Sequence, residues 1–364
     1  MPGIAFYAPM KPPDDPVPSG DRTMARALLA ALDGAGLGDV RVVSRLRSRE
    51  GGGDQENQDA ILDAAEREVE RLSGEPAPDI WLTYHSYYKA PDLLGPRMSR
   101  HWGISYAIVE GTRASSRLIG PYARFAKAAE VACDAADVIF YLTEYDREAL
   151  VRDRAADQKI LRLRPFIAEE TLGPAVERHD AGDAVRLVAC GMFRAGDKLA
   201  SYKMLARSLA NVQSDAWRLN VIGDGPARSE VEALFSSFGD KVAFAGALDQ
   251  KGVAGEFQAS DLLVWPGVGE AFGMVYLEAQ AQGCPVLAED RDGVRDVVRD
   301  GGWLTPPGDE RAYATRIDAL IRDPAGRRST GLRALARVAA DHLLPSARAT
   351  LVTALRPLIG EPRR

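Results

Sequence analysis

Two carboxylates, Glu270 and Glu278, lie in the segment of this chain that carries the most chemical information. Residues 265–278 read Trp-Pro-Gly-Val-Gly-Glu-Ala-Phe-Gly-Met-Val-Tyr-Leu-Glu. The pattern predicts a strand that ends near Trp265, a glycine-rich turn that contains Glu270, and then a helix. The first N–H groups of a helix have no partner within it and suit phosphate or sugar oxygens. In this segment those N–H groups belong to Phe272, Gly273 and Met274.

Glu278 falls about two turns into that predicted helix, on a face that is otherwise largely apolar. A carboxylate in such surroundings is costly unless it accepts hydrogen bonds, and the hydroxyl groups of a ligand are suitable donors. The alternative is an ordinary helix, in which the macrodipole favours Glu270 at the N-terminus and Glu278 is simply solvated.

A loop in the second half of the chain supplies two cations. After a predicted strand, the sequence Gly-Met-Phe-Arg-Ala-Gly-Asp-Lys places Arg194 and Lys198 ahead of a predicted helix. Breaking a bond to a phosphate builds negative charge, and fixed cations stabilise that charge in the transition state. Lys203 is a rival that lies within the predicted helix, and a solvated basic loop without a ligand is the alternative.

Two glycine-containing turns between a strand and a helix are further candidates for ligand contact. Gly223 begins the sequence Gly-Asp-Gly-Pro, which lacks the third glycine of a dinucleotide-binding fingerprint and so disfavours a nicotinamide enzyme. Gly20 follows Ser19 at the start of the first predicted helix, where backbone amides can bind an anion. An ordinary tight turn or surface loop explains either glycine equally well.

One histidine in the first half of the chain is a candidate for chemistry. His85 ends the run Ile-Trp-Leu-Thr-Tyr-His, at the carboxyl end of a predicted buried strand, and three tyrosines lie near it in sequence. A side chain in this position can face a ligand, and the tyrosines can stack on a sugar or an acceptor. A hydrogen-bonded structural histidine is the alternative.

Apolar runs that alternate with helical stretches must position these residues. In the first half, strands are predicted at 4–8, 40–43, 80–84, 106–109 and 138–142, with helices at 24–32 (Asp21 as its N-cap), 57–72 and 122–135. In the second half, strands are predicted at 185–189, 218–222, 242–245, 262–265, 286–288 and 302–304, with helices at 201–212, at 227–238, from 272 and from 310 onward. This alternation is typical of βαβ units and parallel sheets.

A polar, turn-rich stretch at 169–183 separates the two halves and is predicted to be an interdomain linker. We therefore expect an α/β protein with two Rossmann-like, doubly wound domains facing a central cleft, at 1–172 and 173–344. Residues 345–364 are predicted to form a C-terminal helix, for which packing back on the first domain is an open option. Such sheets bind ligands at the carboxyl ends of their strands, so several loops should share the site.

Composition excludes several classes of protein. The 364 residues carry 46 Lys and Arg against 52 Asp and Glu, and this net charge of −6 argues against a nucleic-acid partner. Three cysteines cannot form a disulfide framework, and the four histidines limit the options for a metal site. The sequence has neither a run long enough to span a membrane nor a recognisable secretory signal, so we expect a cytoplasmic protein.

The second half of the chain resembles the retaining glycosyltransferases of family 4, which have the GT-B fold. The likeness covers roughly residues 185–310. It rests on the Glu-x7-Glu motif at Glu270 and Glu278, on Phe272 and Gly273 between them, and on the run Ala-Gln-Ala-Gln-Gly-Cys-Pro-Val-Leu-Ala that follows. The resemblance implies that a nucleoside-diphosphate-sugar donor binds mainly to the C-terminal domain.

The resemblance also implies roles for the candidate residues. Glu270 and the amides at 272–274 would face the transferred sugar, and Glu278 would accept hydrogen bonds from the ribose. Arg194 and Lys198 would stabilise the departing diphosphate. No metal and no further cofactor would be required. The glycines implied in donor binding are Gly20 and Gly223.

The first half departs from the family at one position. Family members often have a second histidine at the end of the next strand, facing the donor sugar, and Glu110 occupies that place in this chain. Glu110 is therefore a candidate contact to the sugar or the acceptor, or a base. The catalytic candidates are accordingly His85, Glu110, Arg194, Lys198 and Glu270.

The implied activity is that of a hexosyltransferase of carbohydrate biosynthesis, which retains the anomeric configuration. Its acceptor is a hydroxyl of a glycan, a lipid or a small molecule, and the sequence does not choose among them. Peripheral, transient contact with the inner face of a membrane stays open, because an arginine cluster lies at 41–49. Two alternatives also stay open: a nucleotide-sugar epimerase on the same fold, and a non-catalytic carbohydrate-binding subunit with a decayed site.

Overall fold

The computed structural model of the chain describes residues 3–173 and 184–359. Its internal contacts divide the chain into two compact units. The first unit runs up to Ala168 and resumes at Leu344, and the second unit spans Glu169 to Leu343. From position 174 onward, the predicted linker at 169–183 lies outside the described residues.

Six parallel strands form the sheet of the first unit, in the order β2-β1-β3-β4-β5-β6. The strands are β1 (Gly3–Tyr7), β2 (Asp39–Ser44), β3 (Ile80–Ser86), β4 (Ser105–Gly111), β5 (Val138–Tyr141) and β6 (Lys159–Arg162). The helices between them are α1 (Gly20–Asp33), α2 (Gln55–Ser73), α3 (Gly95–Trp102), α4 (Ala123–Ala135) and α5 (Glu144–Arg152). The central strands are apolar because both faces of a parallel sheet are covered.

Three elements of the first unit have no counterpart in the sequence prediction: α3, α5 and β6. The helix α3 has only eight residues and no side-chain cap. The helix α5 is mostly polar and buries Leu150 alone among its side chains. The strand β6 is an edge strand that is partly exposed. Short or half-exposed elements contain too few buried apolar residues for a pattern to stand out, so the sequence does not reveal them.

The first helix begins earlier than the sequence predicts. It starts at Gly20 because the hydroxyl of Ser19 accepts a hydrogen bond from the N–H of Arg22 (3.2 Å) and so caps the helix. The prediction that Asp21 is the N-cap is therefore wrong. Asp21 lies in the first turn of α1, and its carboxylate contacts His85 instead.

Six parallel strands also form the sheet of the second unit, in the order β12-β11-β10-β7-β8-β9. The strands are β7 (Val185–Cys190), β8 (Trp217–Ile222), β9 (Val242–Gly246), β10 (Leu262–Val264), β11 (Val286–Glu289) and β12 (Gly302–Thr305). The helices are α6 (Asp197–Leu209), α7 (Arg228–Phe235), α8 (Gln250–Ala259), α9 (Met274–Ala281), α10 (Asp292–Val298), α11 (Glu310–Ile321) and α12 (Pro324–Asp341). The two predicted doubly wound sheets are confirmed, and α8 and α10 are additions to the prediction.

Two helices that carry candidate residues begin at positions other than those predicted. The helix α6 begins at Asp197 rather than at 201, after Gly196, whose φ of 81° favours glycine. Lys198 therefore lies in the first turn of α6 and not in a loop ahead of it. The helix α9 begins at Met274 rather than at Phe272, with Gly273 as its cap.

The last helix, α13 (Leu344–Leu355), packs against α1 and belongs to the first unit. Its buried side chains include Leu344, Leu351 and Leu355. The chain therefore returns to the first unit after it has completed the second. In the part of the chain that the structure describes, no helix is long and apolar enough to cross a membrane.

The strand order of each sheet reverses at one point. The reversal lies between β1 and β3 in the first unit and between β7 and β10 in the second. The loops on either side of such a reversal leave in opposite directions, and doubly wound sheets bind ligands in the crevice between them, at the carboxyl ends of the strands. The loops after β1, β3, β7 and β10 are therefore the places where functional residues are expected.

Candidate functional site

The start of α6 and the loop after β10 bring Lys198 and Glu270 together in the second unit. The Lys198 ammonium forms an ion pair with the Glu270 carboxylate, and each side chain is 17% exposed. The indole N–H of Trp265 donates a hydrogen bond to the same carboxylate oxygen (3.2 Å). The Lys198 nitrogen also lies 5.4 Å from the centroid of the Trp265 ring. A cation and a carboxylate are thus held side by side where the strand order reverses.

Unpaired backbone N–H groups lie at the start of α9. Gly273 caps this helix with a φ of 78°, and a side chain at this position would meet the ring of Tyr276 at 2.5 Å. The N–H groups of Phe272, Gly273 and Met274 donate no hydrogen bond to any described residue. Such donors, at the positive end of a helix dipole, suit phosphate or sugar oxygens. The three amides therefore have spare hydrogen-bonding capacity, and their role in binding stays a prediction.

Glu278 lies about one turn after the start of α9 and is partly buried. Burial, reinforced by the nearby carboxylate of Glu169, raises its pKa from 4.5 to about 7. Burial also raises the pKa of Glu169, whose Oε1 accepts a hydrogen bond from the Gln250 side chain (3.2 Å) and whose buried Oε2 has no hydrogen-bond partner among the residues that the structure describes. A buried carboxylate oxygen without a donor can accept a hydrogen bond from a hydroxyl of a ligand. Sequence reasoning missed Glu169 because it lies in the polar stretch assigned to the linker.

The other predicted cation is placed differently from Lys198. Arg194 is exposed, and its guanidinium makes no hydrogen bond or ion pair with the described residues. It precedes α6 in the same loop after β7, so it remains available to an anion. Lys203, the rival, is exposed further along α6. The structure therefore pairs Lys198 with Glu270 and leaves both Arg194 and Lys203 at the surface.

Gly223 has a structural reason to be glycine. Its φ is 149°, and an added Cβ would overlap the carbonyl oxygen of Gly191. Its N–H donates to the carbonyl of Gly246 (2.9 Å), which ties the ends of β8 and β9 together. The close approach of the loops after β7 and β8 thus accounts for this glycine, and a contact with a donor stays a prediction.

In the first unit, the start of α1 and the carboxyl end of β3 bring Asp21 to His85. Asp21 Oδ1 lies 2.9 Å from His85 Nδ1, and Glu110 Oε2 lies 3.8 Å from the same nitrogen. Tyr84 of β3 pairs with Val109 of β4. The residues that follow them, His85 and Glu110, therefore lie at the same level on adjacent strands. Both residues have left-handed backbones, with φ of 61° and 60°. Such strain in residues other than glycine occurs preferentially at functional sites.

Charge and burial set the protonation of this cluster. Burial alone would lower the pKa of His85, but Glu110 and Asp21 outweigh it and raise the pKa to about 9. Burial raises the pKa of Glu110 to about 7, although His85 opposes the shift. Burial of Asp21 is likewise outweighed by its hydrogen bond to His85, which lowers the pKa of Asp21. At neutral pH, His85 is therefore a cation held among carboxylates.

A third carboxylate, Asp146, belongs to the same cluster. The sequence did not identify it as a candidate. It lies in the first turn of α5 and accepts hydrogen bonds from the hydroxyls of Thr112 (3.2 Å) and Thr143 (2.7 Å). Gly20, at the start of α1, is exposed, and the space that a side chain would take there is free of atoms within 4 Å. Gly20 remains a candidate for contact with a ligand that approaches the start of α1.

Comparisons with known proteins relate this chain to glycosyltransferases. Residues 184–323 match the family described as Glycosyl transferases group 1. A segment of 102 residues is 40% identical to the phosphatidyl-myo-inositol mannosyltransferase of Mycobacterium leprae, and it covers 26% of this chain and 27% of that protein. A longer match, 27% identical over 338 residues, relates 82% of this chain to 79% of a D-inositol 3-phosphate glycosyltransferase of Frankia alni.

A solved structure resembles the chain over its whole length. The sucrose-phosphate synthase of Thermosynechococcus elongatus superimposes with a TM-score of 0.77 and 20% identity, covering 98% of this chain and 99% of that one. At this level of identity the likeness shows the fold alone. Several curated relatives are much longer than the region they share with this chain, which spans 27% or less of their length.

The fold is GT-B, like that of the sucrose-phosphate synthase. The second unit of this chain contains a domain of the Glycosyl transferases group 1 family. The predicted fold is thereby confirmed. Membership of family 4 and the roles of the Glu-x7-Glu motif stay predictions.

Proposed function

We propose that the protein is an enzyme that transfers a sugar from a nucleoside-diphosphate-sugar donor to a hydroxyl acceptor, with retention of anomeric configuration. The observation that carries this proposal is the pairing of Lys198 with Glu270 near the unbonded amides that begin α9. Such a donor contains a diphosphate and a sugar. The second unit offers a cation for the diphosphate, a carboxylate for the sugar, and N–H donors that suit the oxygens of either part. The family match of residues 184–323 supports the same conclusion.

When the donor binds, Lys198 and Glu270 would separate, and each would contact a different part of the donor. The diphosphate would attract the Lys198 ammonium, and the Glu270 carboxylate would then accept hydrogen bonds from sugar hydroxyls. Arg194, which has no partner of its own among the described residues, would add a second positive charge. Glu278, with Glu169 beside it, would accept hydrogen bonds from the ribose.

The proposed step breaks two bonds and forms two. The bond between the anomeric carbon and the diphosphate oxygen breaks, and the diphosphate leaves with the electron pair. The acceptor hydroxyl attacks the same face of the sugar, and its proton passes to the departing diphosphate oxygen. Lys198, Arg194 and the amides of α9 stabilise the negative charge that develops, as fixed positive groups do in a transition state.

The first unit would bind the acceptor. Its candidate residues, His85 and Glu110, lie at the carboxyl ends of β3 and β4, where doubly wound sheets bind ligands. Two relatives carry inositol in their names, which supports a hydroxyl-rich acceptor. His85 and Glu110 would then orient the acceptor hydroxyl toward the sugar.

A donor panel tests the proposal. The full chain is incubated with UDP-, GDP- and ADP-sugars, binding is measured by calorimetry, and release of nucleoside diphosphate is assayed. We expect one base to bind and its sugar to be transferred or slowly hydrolysed, and NMR of a transfer product to show the donor's anomeric configuration. Failure to bind or turn over any of the three would overturn the proposal.

The same assay separates two other activities. An epimerase would isomerise the nucleotide sugar without an acceptor and would release no free nucleotide. A non-catalytic subunit would bind a donor and turn over none, with any acceptor. Either result would replace the proposed transfer.

A further inference from the structure

Carboxylates outnumber cations in the cluster of the first unit. Asp21 and Glu110 lie 2.9 Å and 3.8 Å from the Nδ1 of His85, and Asp146 is near enough to influence both His85 and Glu110 electrostatically. Building on the proposed transfer reaction, we propose that this cluster binds a protonated amino group of the acceptor, so that the acceptor is an amino sugar or another amino polyol.

An oxygen of Glu110 lacks the donor that its burial requires. The residue is 7% exposed, and its Oε2 is buried without a hydrogen-bond partner among the described residues. A buried carboxylate oxygen without a donor destabilises the protein, since the hydrogen bonds of water are lost and not replaced. Asp146, in contrast, has a hydroxyl donor for each of its oxygens. Glu110 Oε2 is therefore aimed into the cluster with capacity for a ligand.

Charge favours an ammonium group over a neutral hydroxyl as that ligand. Protonated His85 supplies the one positive charge that faces the carboxyl groups of Asp21, Glu110 and Asp146. Lys11 also influences Asp21, but its ammonium pairs with Asp15 at 3.4 Å. Burial raises the pKa of Glu110 to about 7 despite the adjacent His85, so the charged carboxylate is under-compensated. An ammonium group would donate hydrogen bonds to it and supply the missing positive charge at the same time.

The surroundings of the cluster also fit an organic cation. The ring of Tyr87 is partly exposed and lies with its centroid 4.9 Å from that of His85. The face of an aromatic ring attracts an ammonium group and packs against the carbon skeleton that bears it. Among the described residues, no three His, Cys, Asp or Glu side chains are grouped so as to hold a metal ion. A protonated amine therefore matches the cluster better than a metal ion does.

Matched sugars test the inference on the full chain. Glucose, its 2-amino, 3-amino and 6-amino derivatives, and the N-acetyl form of each are titrated at pH 7 and followed by ligand-observed NMR. We expect at least one amino sugar to bind about tenfold or more tightly than both glucose and its own N-acetyl form. If no amino sugar exceeds both neutral compounds, the inference is overturned.

Variants then test whether this cluster causes the preference for amino sugars. Glu110→Gln keeps the shape of the side chain and removes its charge, and it should reduce the advantage of the amino sugar to about twofold or less. Asp146→Asn should reduce the advantage about threefold, and it decides the question if circular dichroism shows that Glu110→Gln does not fold. Glu148→Gln, exposed on the same helix as Asp146, is the matched control and should keep the full advantage. A preference that survives removal of the cluster's charge would contradict the inference.

Nucleotide binding in the same samples separates this inference from the proposed function. UDP, GDP and ADP are proposed to bind the second unit, so Glu110→Gln should leave their affinity as it is. If a nucleotide binds and no amino sugar is preferred, the amine inference fails and the transfer proposal stands. If no nucleotide binds, the donor proposal fails, and the sugar titrations still decide the chemistry of the cluster.

Discussion

Lys198 and Lys203 offer a matched comparison at the scale of single residues. Both lie on α6, but Lys198 is ion-paired with Glu270, whereas Lys203 is exposed. Lys198→Ala should lower kcat about 10²–10³-fold, because a fixed charge near the leaving diphosphate is lost in the transition state. Lys203→Ala should change kcat by no more than about twofold. Steady-state release of nucleoside diphosphate checks both, and equal losses in the two variants would contradict the role given to Lys198.

Glu278 gives a prediction that depends on pH. Its pKa is raised from 4.5 to about 7, so within this window the folded protein binds more protons than the unfolded chain. The free energy of unfolding therefore falls as the pH rises from 4.5 to about 7 and is constant above it. Glu278→Gln removes this pH-dependent loss of stability. The free energy of unfolding of the variant should exceed that of the parent by about 1–2 kcal/mol at pH 8 and by little at pH 4.

Urea unfolding at the two pH values measures this difference, and nucleotide titration measures the functional counterpart. If Glu278 accepts hydrogen bonds from the ribose, the same variant binds nucleotide more weakly while it unfolds at a higher urea concentration. A stability gain of equal size at both pH values would show that the carboxyl does not titrate with a raised pKa.

At the scale of elements, the turn after β8 depends on Gly223. Its φ is 149°, and an added Cβ would overlap the carbonyl oxygen of Gly191 and lie 2.9 Å from the ring of Phe193. Backbone cannot move aside as a flexible side chain can, so Gly223→Ala should lower the free energy of unfolding by about 2–4 kcal/mol. Gly255→Ala, in α8, places its Cβ in open space and should raise it by about 0.5–1 kcal/mol. Urea unfolding compares the two variants. An unchanged free energy of unfolding for Gly223→Ala would mean that the turn can adjust to a side chain.

The elements that the sequence reveals are those with long apolar runs or clear helical periodicity. Strands β3, β4 and β5 are buried along almost their whole length, so their composition alone predicts them. The helix α10 has only seven residues, which is too few for a period to show. The start of α6 depends on the positive φ of Gly196, and an amino-acid pattern does not fix that angle.

The candidate residues that the sequence missed share a cause: their neighbours come from other loops. Asp146 follows Thr143 at the start of α5, and Thr143 caps that helix, so locally Asp146 resembles an ordinary capping residue. Its place beside Glu110 follows from the pairing of β4 with β5. The contact of Lys198 with Glu270 likewise depends on the pairing of β7 with β10. Residue types and spacing can therefore name candidates, but the strand order decides which of them meet.

At the scale of the whole molecule, helix α13 brings the chain back to the first unit. This helix comes last in the described sequence, yet it packs on α1, and the Arg348 side chain donates a hydrogen bond to the carbonyl of Ala31 (3.4 Å). Its apolar side chains, including Leu351, are buried in the first unit. The stability of the first unit should therefore depend on residues that follow the whole of the second unit in sequence.

Leu351→Ala tests this dependence. Leu351 is fully buried, so its truncation leaves a cavity and should lower the free energy of unfolding by about 2–5 kcal/mol. Hydrogen exchange should show the loss of protection in α1 and its sheet, while α12 in the second unit keeps its protection. Leu332→Ala, on α12 and 58% exposed, is the control and should change stability by about 0.5 kcal/mol or less. Protection that falls equally in both units after Leu351→Ala would contradict the assignment of α13 to the first unit, because the cavity would then weaken a core that the two units share.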